Sequence, residues 1–214
     1  MPKPTIRKLS IAIVFASLFV VLSFIPIGTS IIGGKDSFKL AIVLPPVVGW
    51  FLGPYYGVLS MIIGFIAGNF FSVTSTYGPL GVIIPMSGAL FAGLNKKGVP
   101  FITSIYLILF SFFFFISYPT VWWFILPHIV ASCCSILILL FKSSPISVFF
   151  NTLSSTFSQH ATGTFLAILL LSIRAEQYYL IFPLTIYERT VSSVGALILI
   201  LAIGKRIKTY FVLS

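Results

Sequence analysis

Long apolar stretches, each ended by glycine, proline or a charged residue, are the feature of this sequence that most limits its fold. A helix that crosses a bilayer needs about 20 apolar residues, and eight candidate stretches follow one another along the chain: residues 6–27, 38–53, 55–72, 79–95, 99–118, 121–141, 145–173 and 178–204. The second, third and fourth stretches are short for this length. Short segments are tolerated inside a bundle or beside a cavity, and we expect them there.

The composition supports a membrane protein. Only 7% of the 214 residues are charged and 58% are hydrophobic, whereas a soluble domain carries about 25% charged residues. The sequence therefore predicts one transmembrane domain over residues 1–214, an all-α polytopic membrane protein with a bundle of about six to eight transmembrane helices. The lipid bilayer is its first expected partner.

The basic residues predict the orientation. If the N-terminus is cytoplasmic and the eight segments alternate, the inner ends hold nine of the 13 Lys and Arg residues: Lys3, Arg7, Lys8, Lys96, Lys97, Lys142, Lys205, Arg206 and Lys208. Such an excess on one side is the positive-inside pattern. We therefore expect both termini in the cytoplasm and the protein in the cell membrane. The bases do not form a patch interleaved with aromatic residues on a polar face, so nucleic acid is not expected as a partner.

The chemistry of most membrane enzymes has no counterpart in this sequence. The chain has three carboxylates, Asp36, Glu176 and Glu188, and they do not cluster as ligands for Mg²⁺ would. Zinc-protease spacing, a nucleophile elbow and a phosphate-binding P-loop are also missing from the sequence. We therefore expect neither an enzyme nor a bound metal or cofactor.

Polar residues inside the apolar segments are the candidate substrate-binding residues, because placing them in a membrane is costly. They are Asn69, His128, Asn151, Gln159, His160, Glu188 and Arg189. In the seventh segment Asn151, Ser155, Gln159 and Thr162 share one helix face. Glu188 and Arg189 lie about 15 Å below the outer surface at helical rise. The alternatives are a structural ion pair between helices, hydrogen-bonded interior histidines and polar contacts between helices.

The first third of the chain offers a docking face and a binding loop. Ala12 and Ala16 are small residues four apart on one helix face, which permits close approach of another helix. We predict that this face docks a partner subunit, with packing inside the molecule as the alternative. Residues 28–37 form a polar loop whose Lys35 and Asp36 are candidates for substrate contact, with a solvated connector as the alternative. Gly53-Pro54 predicts a sharp cytoplasmic turn between closely packed helices.

Together these motifs resemble the substrate-binding S component of energy-coupling factor (ECF) transporters, prokaryotic importers of vitamins and transition-metal ions. The matching elements are Ala12-x-x-x-Ala16, the loop ending Lys35-Asp36-Ser37-Phe38, the turn Leu52-Gly53-Pro54-Tyr55-Tyr56-Gly57, the glycine-bearing helix to Asn69, and Asn95-Lys96-Lys97. The resemblance covers residues 1–97. Residues 98–214 are additional helices without a residue-by-residue match, since the family usually has six spans.

The resemblance implies a substrate site near the outer face, under the loop after the first helix. It also implies a transmembrane coupling subunit on the small-residue face and two ATPase subunits that power transport. We therefore expect a membrane-embedded substrate-binding component for ATP-driven uptake of a vitamin-like small molecule. The alternatives are a self-sufficient proton-coupled secondary transporter and a non-transport membrane scaffold protein.

Overall fold

The computed structural model describes residues 4–30, 37–71, 75–142 and 144–210, and nearly all of them are helical. The helices are α1 (Pro4–Leu22), α2 (Leu44–Phe70), α3 (Ile83–Lys96), α4 (Pro100–Ser117), α5 (Leu126–Leu137), α6 (Pro145–Leu170) and α7 (Tyr178–Tyr210). Short 3₁₀ stretches precede four of them, at Leu40–Val43, Gly78–Val82, Pro119–Ile125 and Ala175–Gln177.

Five helical stretches among the described residues are long and apolar enough to cross a membrane: Leu40–Phe70, Gly78–Lys96, Pro100–Ser117, Pro119–Leu137 and Ala175–Lys205. Large apolar side chains cover the outside of the bundle, as on α4, where Ile108, Leu109 and Phe112 are more than half exposed. Such a surface suits hydrocarbon and would be a liability in water. The prediction of an all-α polytopic membrane protein is confirmed.

Helix α2 doubles back on itself at Gly53. This glycine has φ 74° and ψ 179°, which are not helical angles. A Cβ added to Gly57 would lie 3.1 Å from the Cα of Gly49, although residues eight apart in a straight helix are separated by about 12 Å. The helix is therefore two antiparallel arms, residues 44–52 and 54–70, and the predicted turn at Gly53-Pro54 is confirmed. The seven helices therefore correspond to the eight predicted segments, because the two arms of α2 account for the second and the third.

Helix α3 packs against both arms of α2 through glycines. A Cβ on Gly49 would overlap the carbonyl oxygen of Ala89, and a Cβ on Gly93 would overlap the backbone nitrogen of Pro54. At the same end of the bundle, the Lys96 ammonium donates a hydrogen bond to the Trp50 carbonyl oxygen at 2.7 Å. The contacts fix the turn of α2 beside the last residues of α3.

Helix α1 places its small-residue face against the second arm of α2. Ala12 and Ala16 are buried, and the Ser60 hydroxyl donates a hydrogen bond to the Ala12 carbonyl oxygen at 2.7 Å. Gly64 lies so close that a Cβ there would be 3.0 Å from the Ala16 carbonyl oxygen. The structure therefore assigns this face to packing inside the molecule. The prediction that Ala12 and Ala16 dock a partner is corrected, because α2 already occupies the surface.

A small β-hairpin follows α1. Strand β1 (Pro26–Ser30) pairs antiparallel with β2 (Ser37–Lys39), with Pro26 opposite Lys39. The sequence predicted a polar loop over residues 28–37 and did not anticipate strands. The candidate residues Lys35 and Asp36 fall outside the described residues.

Helix α6 is the polar centre of the bundle and packs against α3, α4, α5 and α7. Many of its buried side chains are Ser or Thr. Several of them donate to carbonyl oxygens one turn earlier in the same helix, as Ser155 does to Asn151 and Ser158 does to Ser154. These bonds lower the cost of burying the hydroxyls. The helix therefore combines a central position in the bundle with many buried polar side chains.

Candidate functional site

A cavity of about 260 Å³ lies among α1, α2, α3, α6 and α7, at the end of the bundle that carries the β-hairpin. Residues from the connecting segments line its outer part: Phe38, Lys39, Ser75, Thr76 and Tyr77. Polar side chains of α6 and α7 line its deeper part: Gln159, His160, Thr185, Glu188 and Arg189. The base of the hairpin therefore lies at the mouth of the cavity. The resemblance implied a substrate site under this loop, and that role stays a prediction.

An ion pair lies in the wall of the cavity. Glu188 and Arg189 are 3% and 4% exposed, and the Arg189 guanidinium donates to the Glu188 carboxylate. The same guanidinium donates from Nη1 to the Thr156 carbonyl oxygen of α6 at 3.0 Å. The alternative of an ion pair between helices is wrong, since both charges belong to α7. The Nε of Arg189 has no hydrogen-bond partner among the described residues.

Gln159 is held in the cavity wall by close packing. Its side chain is 2% exposed, and a Cβ on Gly88 would lie 3.0 Å from the Gln159 Oε1 atom and 3.0 Å from Pro45. Glycine at position 88 therefore makes room for the amide. Within the described parts of the chain, Oε1 finds no hydrogen-bond donor. This oxygen is itself fully buried, toward Gly88 and Pro45, so it lies inside the wall and does not face the cavity.

A chain of hydrogen bonds leads from the cavity wall into the bundle. Thr185 Oγ1 lies 3.1 Å from His160 Nε2, and His160 Nδ1 lies 3.0 Å from His128 Nε2. His160 lines the cavity, whereas His128 is fully buried behind it, against the rings of Phe110 and Phe157. One proton lies between the two imidazoles, so the tautomer of one determines the tautomer of the other.

The predicted site residues divide into two groups. Gln159, His160, Glu188 and Arg189 come together in the cavity wall. Three others are described and do not line it: His128 lies behind His160, Asn69 is exposed at the end of α2, and Asn151 donates to the Ala92 carbonyl oxygen of α3 at 3.0 Å. The residues that share this face of α6 therefore have different roles. Gln159 lines the cavity, whereas Asn151 and Thr162 bond neighbouring helices, Thr162 at the Tyr106 hydroxyl of α4.

Several lining residues were missed from the sequence. Neither Lys39 nor Tyr178 stood out in the sequence, although both line the cavity and Tyr178 is only 1% exposed. Thr185 precedes Glu188 by three residues and so shares its helix face, a spacing that could have identified it. Tyr77 gave no signal in the sequence.

Tyr77 is a neutral polar group at the mouth. Burial, reinforced by the nearby Glu188 carboxylate, raises the pKa of Tyr77 to about 12. Its hydroxyl therefore stays protonated at physiological pH and remains able to donate a hydrogen bond.

Comparison of the chain with protein-family models, with curated proteins and with solved structures finds no match. The resemblance of residues 1–97 to S components therefore rests on the motifs quoted above.

Proposed function

We propose that this protein is the membrane-embedded substrate-binding component of an ATP-driven transporter that takes up a vitamin-like small molecule across the cell membrane. The cavity carries the proposal. It holds an ion pair, an amide and an imidazole inside a bundle of apolar helices, in a volume of about 260 Å³. Typical small-molecule pockets begin at about 300 Å³, so a compact ligand fits this volume best.

The polar residues of the wall support binding over packing alone. Gln159, His160, Thr185, Glu188 and Arg189 lie together around the cavity. Polar and charged side chains are costly inside a membrane protein, and where they face a cavity they mark substrate pathways.

The position of the cavity and the missing nucleotide motif support uptake driven by partner subunits. The mouth lies beneath the hairpin that follows α1, the end that the charge pattern predicts to face outward. The sequence has no P-loop, so ATP hydrolysis would occur on partner ATPases. Because α2 covers Ala12 and Ala16, a coupling subunit would bind another surface of the bundle.

The test is purification of a tagged chain from the membranes of its own organism, followed by reconstitution of whatever copurifies. We expect ATPase and coupling subunits to accompany the chain. We also expect vesicles with internal ATP to accumulate the small molecule that copurifies. Uptake by the bare chain without ATP, or a chain that carries neither subunits nor ligand, would contradict the proposal.

A proton-coupled secondary transporter is the second candidate, favoured by the hydrogen-bonded chain Thr185–His160–His128 beside Glu188. Such chains of titratable groups inside a membrane mark proton relays in transporters. This candidate expects uptake by the chain alone under an imposed proton gradient. It also expects His128→Phe to abolish that uptake while binding at the cavity persists, since His128 does not line it.

A further inference from the structure

We propose that a groove on the side of the bundle binds an anionic phospholipid of the cytoplasmic leaflet, with an acyl chain in the groove and the phosphate at Lys97. This lateral groove has a volume of about 540 Å³ and shares no lining residue with the substrate cavity. The second arm of α2 lines it together with α3, α4 and α6, through residues that include Tyr55, Val58, Leu90 and Phe165.

The interior of the lateral groove suits hydrocarbon, because the buried and half-buried hydroxyls of its lining are already hydrogen-bonded. The Ser87 hydroxyl donates to the Ile84 carbonyl oxygen at 2.8 Å. The Tyr106 hydroxyl bonds Thr162 Oγ1 at 2.7 Å. Since these groups already have partners, an apolar occupant leaves no buried hydroxyl of the lining without a hydrogen bond.

The lateral groove opens towards lipid. The helices α2, α3 and α4 belong to the stretches that are long and apolar enough to cross a membrane. Two apolar lining residues, Ile83 on α3 and Phe165 on α6, are each 40% exposed. An exposed apolar surface of this kind is typical of contact with a membrane.

Lys97 lies at one end of the lateral groove. Ile83, Leu90 and Lys97 follow one another at intervals of seven residues, so they share one face of α3 and its C-cap. The Lys97 ammonium lies 5.0 Å from the centre of the Tyr55 ring, and Tyr55 lines the groove. This positive charge is therefore beside the groove, at the end of the bundle that the charge pattern predicts to face the cytoplasm.

The charge of Lys97 specifies the headgroup. The described part of the chain holds one ion pair, Glu188 with Arg189, so Lys97 has no carboxylate partner there. Anionic lipids of the cytoplasmic leaflet attract basic residues near the membrane surface, and basic pockets between helices on that side bind their headgroups. A lipid phosphate is thus the anion that complements Lys97.

The length of the lateral groove matches one acyl chain. Fourteen residues separate Ile83 from Lys97, which is about 21 Å at helical rise. One leaflet contributes about 15 Å of hydrocarbon, half the thickness of the bilayer core. A phospholipid with its phosphate at Lys97 can therefore extend one chain along the groove.

Native mass spectrometry of the purified full chain tests the headgroup. The chain would be incubated in detergent with equal amounts of phosphatidylglycerol and phosphatidylcholine that carry the same acyl chains. We expect the anionic lipid to be retained about fivefold more, the effect of one basic residue near an anionic surface. Lys97→Ala should abolish this preference and leave the retention of phosphatidylcholine unchanged. Lys142→Ala is the matched control, because Lys142 is an exposed lysine on the same predicted side.

A second pair of variants tests the acyl chain. Val58 is half-buried in the lateral groove, so Val58→Phe should fill part of the space. It should lower the retention of both lipids by about tenfold, the factor expected when roughly two methylene groups lose their apolar contacts. Val130→Phe is the control, since Val130 is 56% exposed on α5, outside the groove.

Four outcomes would overturn the proposal: the wild type retains the two lipids equally, it retains neither, Lys97→Ala keeps the preference, or Val58→Phe retains both lipids as the wild type does. The last outcome would assign the lipid to the general shell around the bundle. If neither lipid is retained and Val58→Phe prevents copurification with a coupling subunit, the lateral groove holds a helix of that subunit instead. The proposed function is tested separately, at the substrate cavity.

Discussion

Arg189 is the residue on which the electrostatics of the cavity depend most. Its guanidinium bonds the Glu188 carboxylate and the Thr156 carbonyl oxygen, and its Nε faces no protein acceptor among the described residues. One side chain thus neutralises a buried carboxylate, connects α7 to α6 and keeps a donor free. Neither charge is stable alone in this environment, because a buried unpaired ion is strongly destabilising.

Arg189→Met should therefore lower thermal stability sharply, by the equivalent of about 3–5 kcal/mol, because it leaves Glu188 buried without its partner. The double variant Glu188→Gln/Arg189→Met removes both charges and should recover much of the loss. Unfolding of the ligand-free protein in detergent, followed with temperature, measures both, with Arg174→Met as an exposed control. A double variant as unstable as the sum of its single variants would contradict the coupling.

Single residues were predicted from the sequence where their burial in a span was itself the signal. Gln159, His160, Glu188 and Arg189 stood out because polar groups are rare in membranes, and they do meet in the cavity. Ala12 and Ala16 were misassigned because a small-residue face looks the same whether its neighbour is another protein or the next helix. The burial of Ala16 is visible only once α2 is placed beside it.

Helix α2 shows how glycine and proline fold an apolar stretch back on itself. Gly53 adopts a positive φ that few other residues accept, and Pro54 begins the second arm. Gly49 and Gly93 then allow the arms and α3 to approach to backbone contact. The close packing of the two arms of α2 against α3 therefore depends on glycines, which have no Cβ.

Gly49→Ala and Gly93→Ala should each impair folding, since the added methyl would overlap backbone atoms of a neighbouring arm or helix. Overpacking of this kind costs about 1–3 kcal/mol or more. Gly204→Ala is the matched control, because a Cβ there has no described atom within 4 Å. The fraction of monodisperse protein after heating measures the effect, and equal behaviour of all three variants would refute the packing argument.

The sequence predicted the helices and the turn in α2 better than it predicted the β-hairpin. The eight apolar stretches follow from hydrophobic length, and each corresponds to a helix or to one arm of α2. The turn at Gly53-Pro54 follows from backbone chemistry and is confirmed. The sequence did not predict the β-hairpin, because its strands of five and three residues are too short to show an alternating pattern of apolar and polar residues.

The path of the whole chain depends on the reversal in α2. We expect each arm of α2 to cross the membrane once, which with the six other helices would give eight crossings and place the two ends on the same side. If Leu40–Phe70 were one straight span, the number of crossings would be odd and the ends would lie on opposite sides. The cavity itself could not be predicted from sequence, because five helices distant along the chain build its wall.

Cysteine labelling tests this path. In a chain with Cys133 and Cys134 replaced by alanine, Glu176→Cys should react with an impermeant maleimide on intact cells. Lys142→Cys and a cysteine fused before Met1 should react only after the membrane is opened, and a cysteine fused after Ser214 should behave like the one before Met1. Reaction of the two terminal cysteines from opposite sides would contradict the eight-crossing path.

The central claim is that the cavity binds a small molecule, and native mass spectrometry of gently purified protein tests it most directly. Gly163 lines the cavity, and a Cβ there would meet only Ile84 among the described atoms, at 3.5 Å, so Gly163→Leu should fill the space. We predict that the wild type and the control Gly204→Leu carry the same small-molecule adduct and that Gly163→Leu loses it while remaining folded. An unchanged adduct on Gly163→Leu, or a wild type that carries none, would contradict the claim.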